Sequence, residues 1–297
     1  MSVVGRAKTP QLCGHGFRKA RPLLGSFEDA CRSSMSQIAQ RDPTRQFLRA
    51  RGCAAPRLAG VNVRTHRRPD GRVVVFPIAP WTPDQANWAV RFARNKGVSV
   101  ITHISADRVD ELRILADAGF TSARREVKVE VDLDKALATT GGARLPPGVA
   151  AISAADADVD RLRVLDDALR DDIPGTRGWR STPEEFAGET FSAPAFNPAT
   201  YLVAVQEGTG EYIGLVRIWM NRSGPRIGMF GVLRAHRRRG IALALLARCL
   251  FAARDIGHRT ATSEYDETNE ASGGVFRRLG AHQTGSTLEF ASGPQAA

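Results

Sequence analysis

The chain is poor in the residues that would build a metal or disulfide framework. Its 297 residues include four cysteines and six histidines, none at a zinc-ligand spacing, so no metal site is expected. Cys13, Cys31 and Cys53 fall within residues 1–59 and Cys249 in a strongly apolar stretch. Unpaired thiols in a reducing cytoplasm are the simpler reading. No run approaches the roughly 18 to 20 apolar residues of a membrane span, and the N-terminus lacks the apolar core of a signal peptide, so no membrane partner is expected. Acidic residues are scarce at the start. Residues 1–70 carry 14 Lys/Arg against four Asp/Glu, and residues 71–297 carry 28 against 27. The net charge of +11 therefore belongs to the leading segment, which argues against nucleic-acid binding by the rest.

What is present is 42% hydrophobic, ample for real cores over a length suited to two domains. Residues 1–59 read as a basic, poorly ordered extension, Arg- and Ser-rich like a transit peptide but without an amphipathic period. From residue 60, VNVRTH and VVVFPI flank the turn Pro69-Asp70-Gly71. TPDQANWAVRFARNKG reads as a helix capped by Thr82, opened by Pro83 and closed by Gly97. VSVITHIS is a strand, DRVDELRILADAG a helix closed by Gly119, and REVKVEVDL a strand with one polar face. Residues 138–147, rich in Gly and Pro, read as a linker. Residues 148–291 then give a strand, the helix ADVDRLRVLDDALRDD, a loop, a short helix started by Thr182-Pro183-Glu184-Glu185, three strands, the long helix GIALALLARCLFAARDIG, a strand, a helix and a last strand. The expected class is α/β, a central mixed sheet flanked by helices. We read two related units, 60–137 and 148–291, the first incomplete.

RRRGIALALL, residues 237–246, places three arginines and a glycine where a strand and short turn give way to a helix. The first amides of a helix have no internal acceptor and carry the positive end of its dipole. A glycine there lets an anion approach the backbone closely. Taken alone, the stretch reads equally as a solvated charge run beside a core helix.

The strand, then Arg237-x-x-Gly240-x-Ala242, then the helix resemble the acetyl-CoA signature of the GNAT acetyltransferase superfamily. Downstream, SEYDETNEASGGVFRRLGA resembles the family's second signature, with Asn269, Ala271, Leu279 and Gly280 carrying the match. The resemblance implies a complete GNAT fold over 148–291. Residues 60–137 resemble the back half of the same fold, but APWTPDQANW lacks the Arg-x-x-Gly motif and is not expected to hold a cofactor. Tandem GNAT proteins such as mycothiol synthase share this division into an active and a degenerate repeat.

The resemblance further implies acetyl transfer from acetyl-CoA to an amine. Phe230, Gly231 and Val232 would hold the pantetheine arm, Arg237, Arg238, Arg239, Gly240, Ile241, Ala242 and Leu243 the diphosphate, mostly through main-chain amides, and Asn269 the cofactor arm. Glu264 matches the general base of some relatives, or is a solvent-facing strand acid. Phe276 stands where those relatives have an acidic tyrosine, leaving water or Tyr265 to protonate the thiolate. The loop after the first helix implies acceptor contacts at Asp171, Asp172 and Trp179, with Asp166 and Asp167 completing an acidic rim for a cationic amine. A small-molecule amine acceptor, such as an antibiotic or metabolite, is the first expectation. A protein amino-terminal or lysine acetyltransferase and a non-catalytic acyl-CoA sensor are the alternatives. A monomer and a homodimer are both compatible with the sequence.

Overall fold

In a computed structural model of the protein, residues 62–294 are described; the basic extension expected over 1–59 lies outside them. They fall in one compact unit. The elements run β1 (Val63–Arg67), β2 (Val73–Pro77), α1 (Pro83–Lys96), β3 (Val100–Ser105), α2 (Val109–Asp117), β4 (Thr121–Asp132) and α3 (Leu133–Thr140). They continue with β5 (Val149–Ser153), α4 (Val159–Arg170), α5 (Pro183–Thr190), β6 (Tyr201–Gln206), β7 (Tyr212–Asn221), β8 (Gly224–Val232), α6 (Ile241–Asp255), β9 (Thr260–Asp266), α7 (Glu270–Arg278) and β10 (His282–Ser292).

Local chemistry fixes most of these boundaries. Thr82 and Gln85 form a reciprocal capping box at the start of α1, and left-handed Gly97 closes it. Thr182 and Glu185 repeat the box at α5. The helix α3 was not foreseen. Asp132, the last residue of β4, caps it by accepting the amide of Lys135, so its final turn occupies the start of the segment read as a linker.

One ten-stranded mixed sheet runs through the molecule in the order β1-β2-β3-β10-β4-β9-β8-β7-β6-β5. The α/β class with a central mixed sheet is thus observed. The order interleaves strands from either side of residues 138–147. The last strand, β10, lies between β3 and β4, antiparallel to both, and β4 in turn lies against β9. The two arrangements repeat each other. Glu126 lies across from Asp266, and Thr287 across from Ser105, each long strand following a helix ended by a left-handed glycine, Gly119 or Gly280.

Alternation along the strands assigns the two faces. Val216, Ile218, Ile227 and Val232 pack under α6 with Leu245, Leu246 and Leu250, and α3 and α7 join the same core. Leu215, Tyr201, Val203 and Met229 face the other way, against α4 and α5. The second face carries the polar side chains of β9, β4, β10 and β3, and the functional chemistry collects there.

Candidate active site

β8 reaches α6 through a short 3-10 turn, Arg234–His236. Two residues before the helix are left-handed, Arg238 at φ 64° and Gly240 at φ 77°. Among the described residues Arg238 is the one non-glycine with positive φ, a conformation that costs about 1–2 kcal/mol. Gly240 is the N-cap and no side chain caps α6; the Gly240 carbonyl accepts from Ala244. The amides of Ile241, Ala242 and Leu243 therefore open the helix without intrahelical acceptors, at the positive end of its dipole. A Cβ on Gly240 would meet nothing within 4 Å, so among the described residues the approach is clear. At α1 the capping box takes the Gln85 amide and Pro83 has no amide to offer, which leaves Asp84 alone of the first three. An anion has a seat at α6 that α1 does not provide.

Beside that seat the sheet opens. β8 and β9 are parallel and bridge at Arg226–Thr262, while the far end of β8, through Val232, stays paired with β7. Among the described residues the β9-side edge of Phe230, Gly231 and Val232 has no strand partner. Phe276, buried in the core, stands edge-on to Phe230 at 5.6 Å and stacks on Tyr265 at 5.3 Å.

Glu264 lies on β9 across from Lys128 of β4, with its side chain 27% exposed. Arg226 donates to its Oε1 at 2.7 Å. Burial works to raise its pKa, but the Arg226 guanidinium, with Lys128 and His103, holds the carboxyl below the usual range. It is ionised at neutral pH.

Comparison with known proteins follows the same outline. Residues 165–281 match the model of the "Acetyltransferase (GNAT) family". By this match residues 165–281 carry a GNAT-family domain. Similar solved structures include a GCN5-related N-acetyltransferase from Sphaerobacter thermophilus, 21% identical with a TM-score of 0.61, covering 79% of this chain and 77% of that one. Another is a tandem GNAT protein from the clavulanic acid biosynthesis pathway, 17% identical with a TM-score of 0.58, covering 79% of each chain. A third, a GCN5-related N-acetyltransferase from Kribbella flavida, is 16% identical with a TM-score of 0.50, covering 76% of this chain and 82% of that one. At these identities the likeness is one of fold, and it extends over both halves of the sheet. No curated protein matches the chain.

Within the GNAT domain several side chains do other work than the sequence suggested. Arg237 turns away from the amides: its Nε donates to the Val232 carbonyl at 2.8 Å and its guanidinium pairs with Asp172. Arg238 and Arg239 remain exposed beside Gly240. Asn269 is the N-cap of α7, its Oδ1 accepting from Ser272 at 3.0 Å, so its carboxamide oxygen is already engaged.

The acidic rim does not form. Asp172 is bound by Arg234 and Arg237, which hold its pKa near about 2. Asp171 is bound by Arg180 at 2.7 Å. Asp166 is buried against Arg170, and Asp167 lies 3.5 Å from Arg163. Each of these four carboxylates is paired with an arginine of the chain, so they do not stand as a free acidic rim. Arg170 at 4.6 Å and Arg68 at 4.9 Å both lie over the Trp179 ring, and its indole N–H donates to Ser181 Oγ.

Sequence reasoning missed a buried charge cluster centred on Glu289 of β10, 2% exposed. His103, Arg72 and Arg124 contact its carboxylate at 3.2, 3.0 and 3.1 Å. Burial opposes ionisation, but the His103 hydrogen bond and the guanidinium groups hold its pKa at about 2. The signal was available: Glu289 is the sole acid in the otherwise uncharged run STLEFAS. In the repeat of the sheet, His103 and Glu289 face each other two residues from Ser105 and Thr287, as Glu264 and Lys128 do from Asp266 and Glu126.

Proposed function

We propose that the protein is an acetyl-CoA-dependent N-acetyltransferase that acts on a primary amine of a small molecule, an antibiotic or a metabolite, in the cytoplasm. The observation that carries this reading is the uncapped start of α6 beside the parted end of β8. A diphosphate suits amides Ile241–Leu243, and an extended, amide-containing arm suits the strand edge of Phe230–Val232, where Arg237 already takes the Val232 carbonyl. Arg238 and Arg239 add attraction. Residues 60–137 contribute no second donor site in this reading, since the capping box closes α1.

The amine lone pair attacks the thioester carbonyl carbon, the amine proton leaves to Glu264 through a water, and the C–S bond breaks. The thiolate takes its proton from solvent, because Phe276 has none to give. Glu264 is suited to relay through water, since the Arg226 ion pair makes it a weak base for direct abstraction from an ammonium group.

Acetyl-CoA at a hundredfold excess over its Kd should raise the melting temperature by roughly 5 °C or more, given about 2.7 kcal/mol of linkage and the response of a protein this size. Gly240→Glu places a carboxylate on the amides and strains φ 77°; the rise should vanish while the fold persists by circular dichroism. Thiol release across an amine panel then reports transfer. An acyl-CoA sensor is the second reading, favoured by Phe276. A full thermal response with no thiol release from any amine would select it.

A further inference from the structure

The loop between α4 and α5, residues 171–182, is fastened at two neighbouring points to other parts of the molecule. At Asp172 it pairs with Arg234 and Arg237, in the connection that leads to the open amides of α6. Just after, at Pro174 and Gly175, β1–β4 hold it by its backbone. Arg68, in the β1–β2 connection, donates from Nη2 to the Gly175 carbonyl at 2.7 Å, and Arg72 donates to the same oxygen at 2.5 Å. Arg124 of β4 donates to the Pro174 carbonyl at 3.2 Å. Gly175 is left-handed at φ 78°, and a Cβ there would meet Arg124 Nε at 2.5 Å, so loop and arginine are in direct contact.

Three guanidinium groups brought together need anions to hold them. Two buried carboxylates do this. Asp70, 4% exposed, pairs with Arg68 and Arg72 at 2.8 and 2.9 Å, and Glu289 pairs with Arg72 and Arg124. The clamp also has a stacked part, because Arg68 lies over the Trp179 ring, with Arg170 of α4 as the second cation on it. Charge-assisted bonds to two successive carbonyls, plus a stacked indole, fix a loop far more firmly than the exposed ion pairs usual at a surface.

We propose that Arg68 and Glu289 are positioning residues for the acceptor amine: strands β1–β4 and β10 set the shape of the 171–182 loop, and this loop forms the acceptor wall on the sheet face that carries Glu264. The part of the chain without a donor motif then has a task in the reaction, which is to hold the acceptor side while α6 holds the donor. The proposal rests on the transferase reading for its kinetic consequence, and its structural half stands apart from it.

The test uses the full chain with Arg68→Ala, Arg68→Lys and Glu289→Gln. Hydrogen exchange of peptides covering 171–182 should quicken about tenfold in Arg68→Ala and in Glu289→Gln, the scale of one lost charge-assisted hydrogen bond, with peptides of α6 unchanged. Arg68→Lys should restore part of the protection, since an ammonium can still reach the Gly175 carbonyl. The acetyl-CoA thermal response should match the parent in all three. With an amine found by the panel, KM for the amine should rise about tenfold in Arg68→Ala while kcat stays within about twofold. Should Glu289→Gln not fold, Arg68→Ala alone decides. Unchanged loop exchange in folded Arg68→Ala overturns the clamp. A quickened loop with an unchanged amine KM overturns its role toward the acceptor. Loss of the thermal response in the parent would instead count against the transferase reading.

Discussion

Glu264 shows how little a residue's type says about its strength as a base. Burial alone would weaken its ionised form, and the Arg226 ion pair at 2.7 Å reverses that. If Glu264 relays the amine proton, Glu264→Gln should lower kcat by about 10²- to 10⁴-fold while leaving the acetyl-CoA thermal response intact. Arg226→Met gives the sharper check. It removes the cation and leaves the burial, so the carboxyl pKa rises. A base works only when deprotonated, and the acid limb of kcat/KM against pH should therefore move toward neutral pH. A limb that stays in place would show that another group takes the proton. At this scale the sequence was legible where one residue's backbone decides the outcome, as at Gly240. It was not legible where the partner lies far along the chain. Asp172 looked like a free acid because Arg234 and Arg237, which neutralise it, are distant in sequence.

Elements bounded by local chemistry were readable in advance, as the capping boxes at Thr82 and Thr182 show. The helix α3 escaped because its cap, Asp132, is also the last residue of β4, so strand passes to helix with no intervening loop, and the helix then runs into a Gly- and Pro-rich stretch. The polar face of REVKVEVDL was seen as an alternation, yet nothing local told that Arg124, just before it, pairs with both Glu126 and the buried Glu289 of β10. Buried charge on β10 makes a pH-dependent bond between elements. The Glu289 pKa is about 2 in the folded protein against 4.5 ordinarily. A depressed carboxylate stabilises the fold above its unfolded pKa, and that contribution is lost as pH falls through the folded value. Unfolding free energies of the parent and of Glu289→Gln, measured by denaturant from pH 7 to pH 2, should thus converge below about pH 4.5, by up to about 3 kcal/mol. A difference that is flat across this window would mean that Glu289 gains nothing from its guanidinium partners.

For the molecule as a whole, the strand order matters most, because it decides what can exist alone. Pairing of β10 with both β3 and β4, and of β4 with β9, ties together the pieces on either side of residues 141–147. Long-range pairing of this kind leaves no trace in hydrophobic period, which reports only which face of a strand is buried. The sequence could therefore suggest two related units without showing how they share strands. A piece ending before residue 141 would keep β3 and β4 but lose the strand between them. A piece starting at residue 148 would expose one edge of β9 and both edges of β10, and unpaired edges of that length favour aggregation. Neither piece should fold by itself. A protease site placed within residues 141–147 distinguishes shared from separate cores. After cleavage the two fragments should elute as one species on size exclusion, with the circular dichroism of the uncut chain, and should part only in denaturant. Fragments that separate in native buffer, each retaining its secondary structure, would mean that every half carries its own core and that the exchanged strands add little.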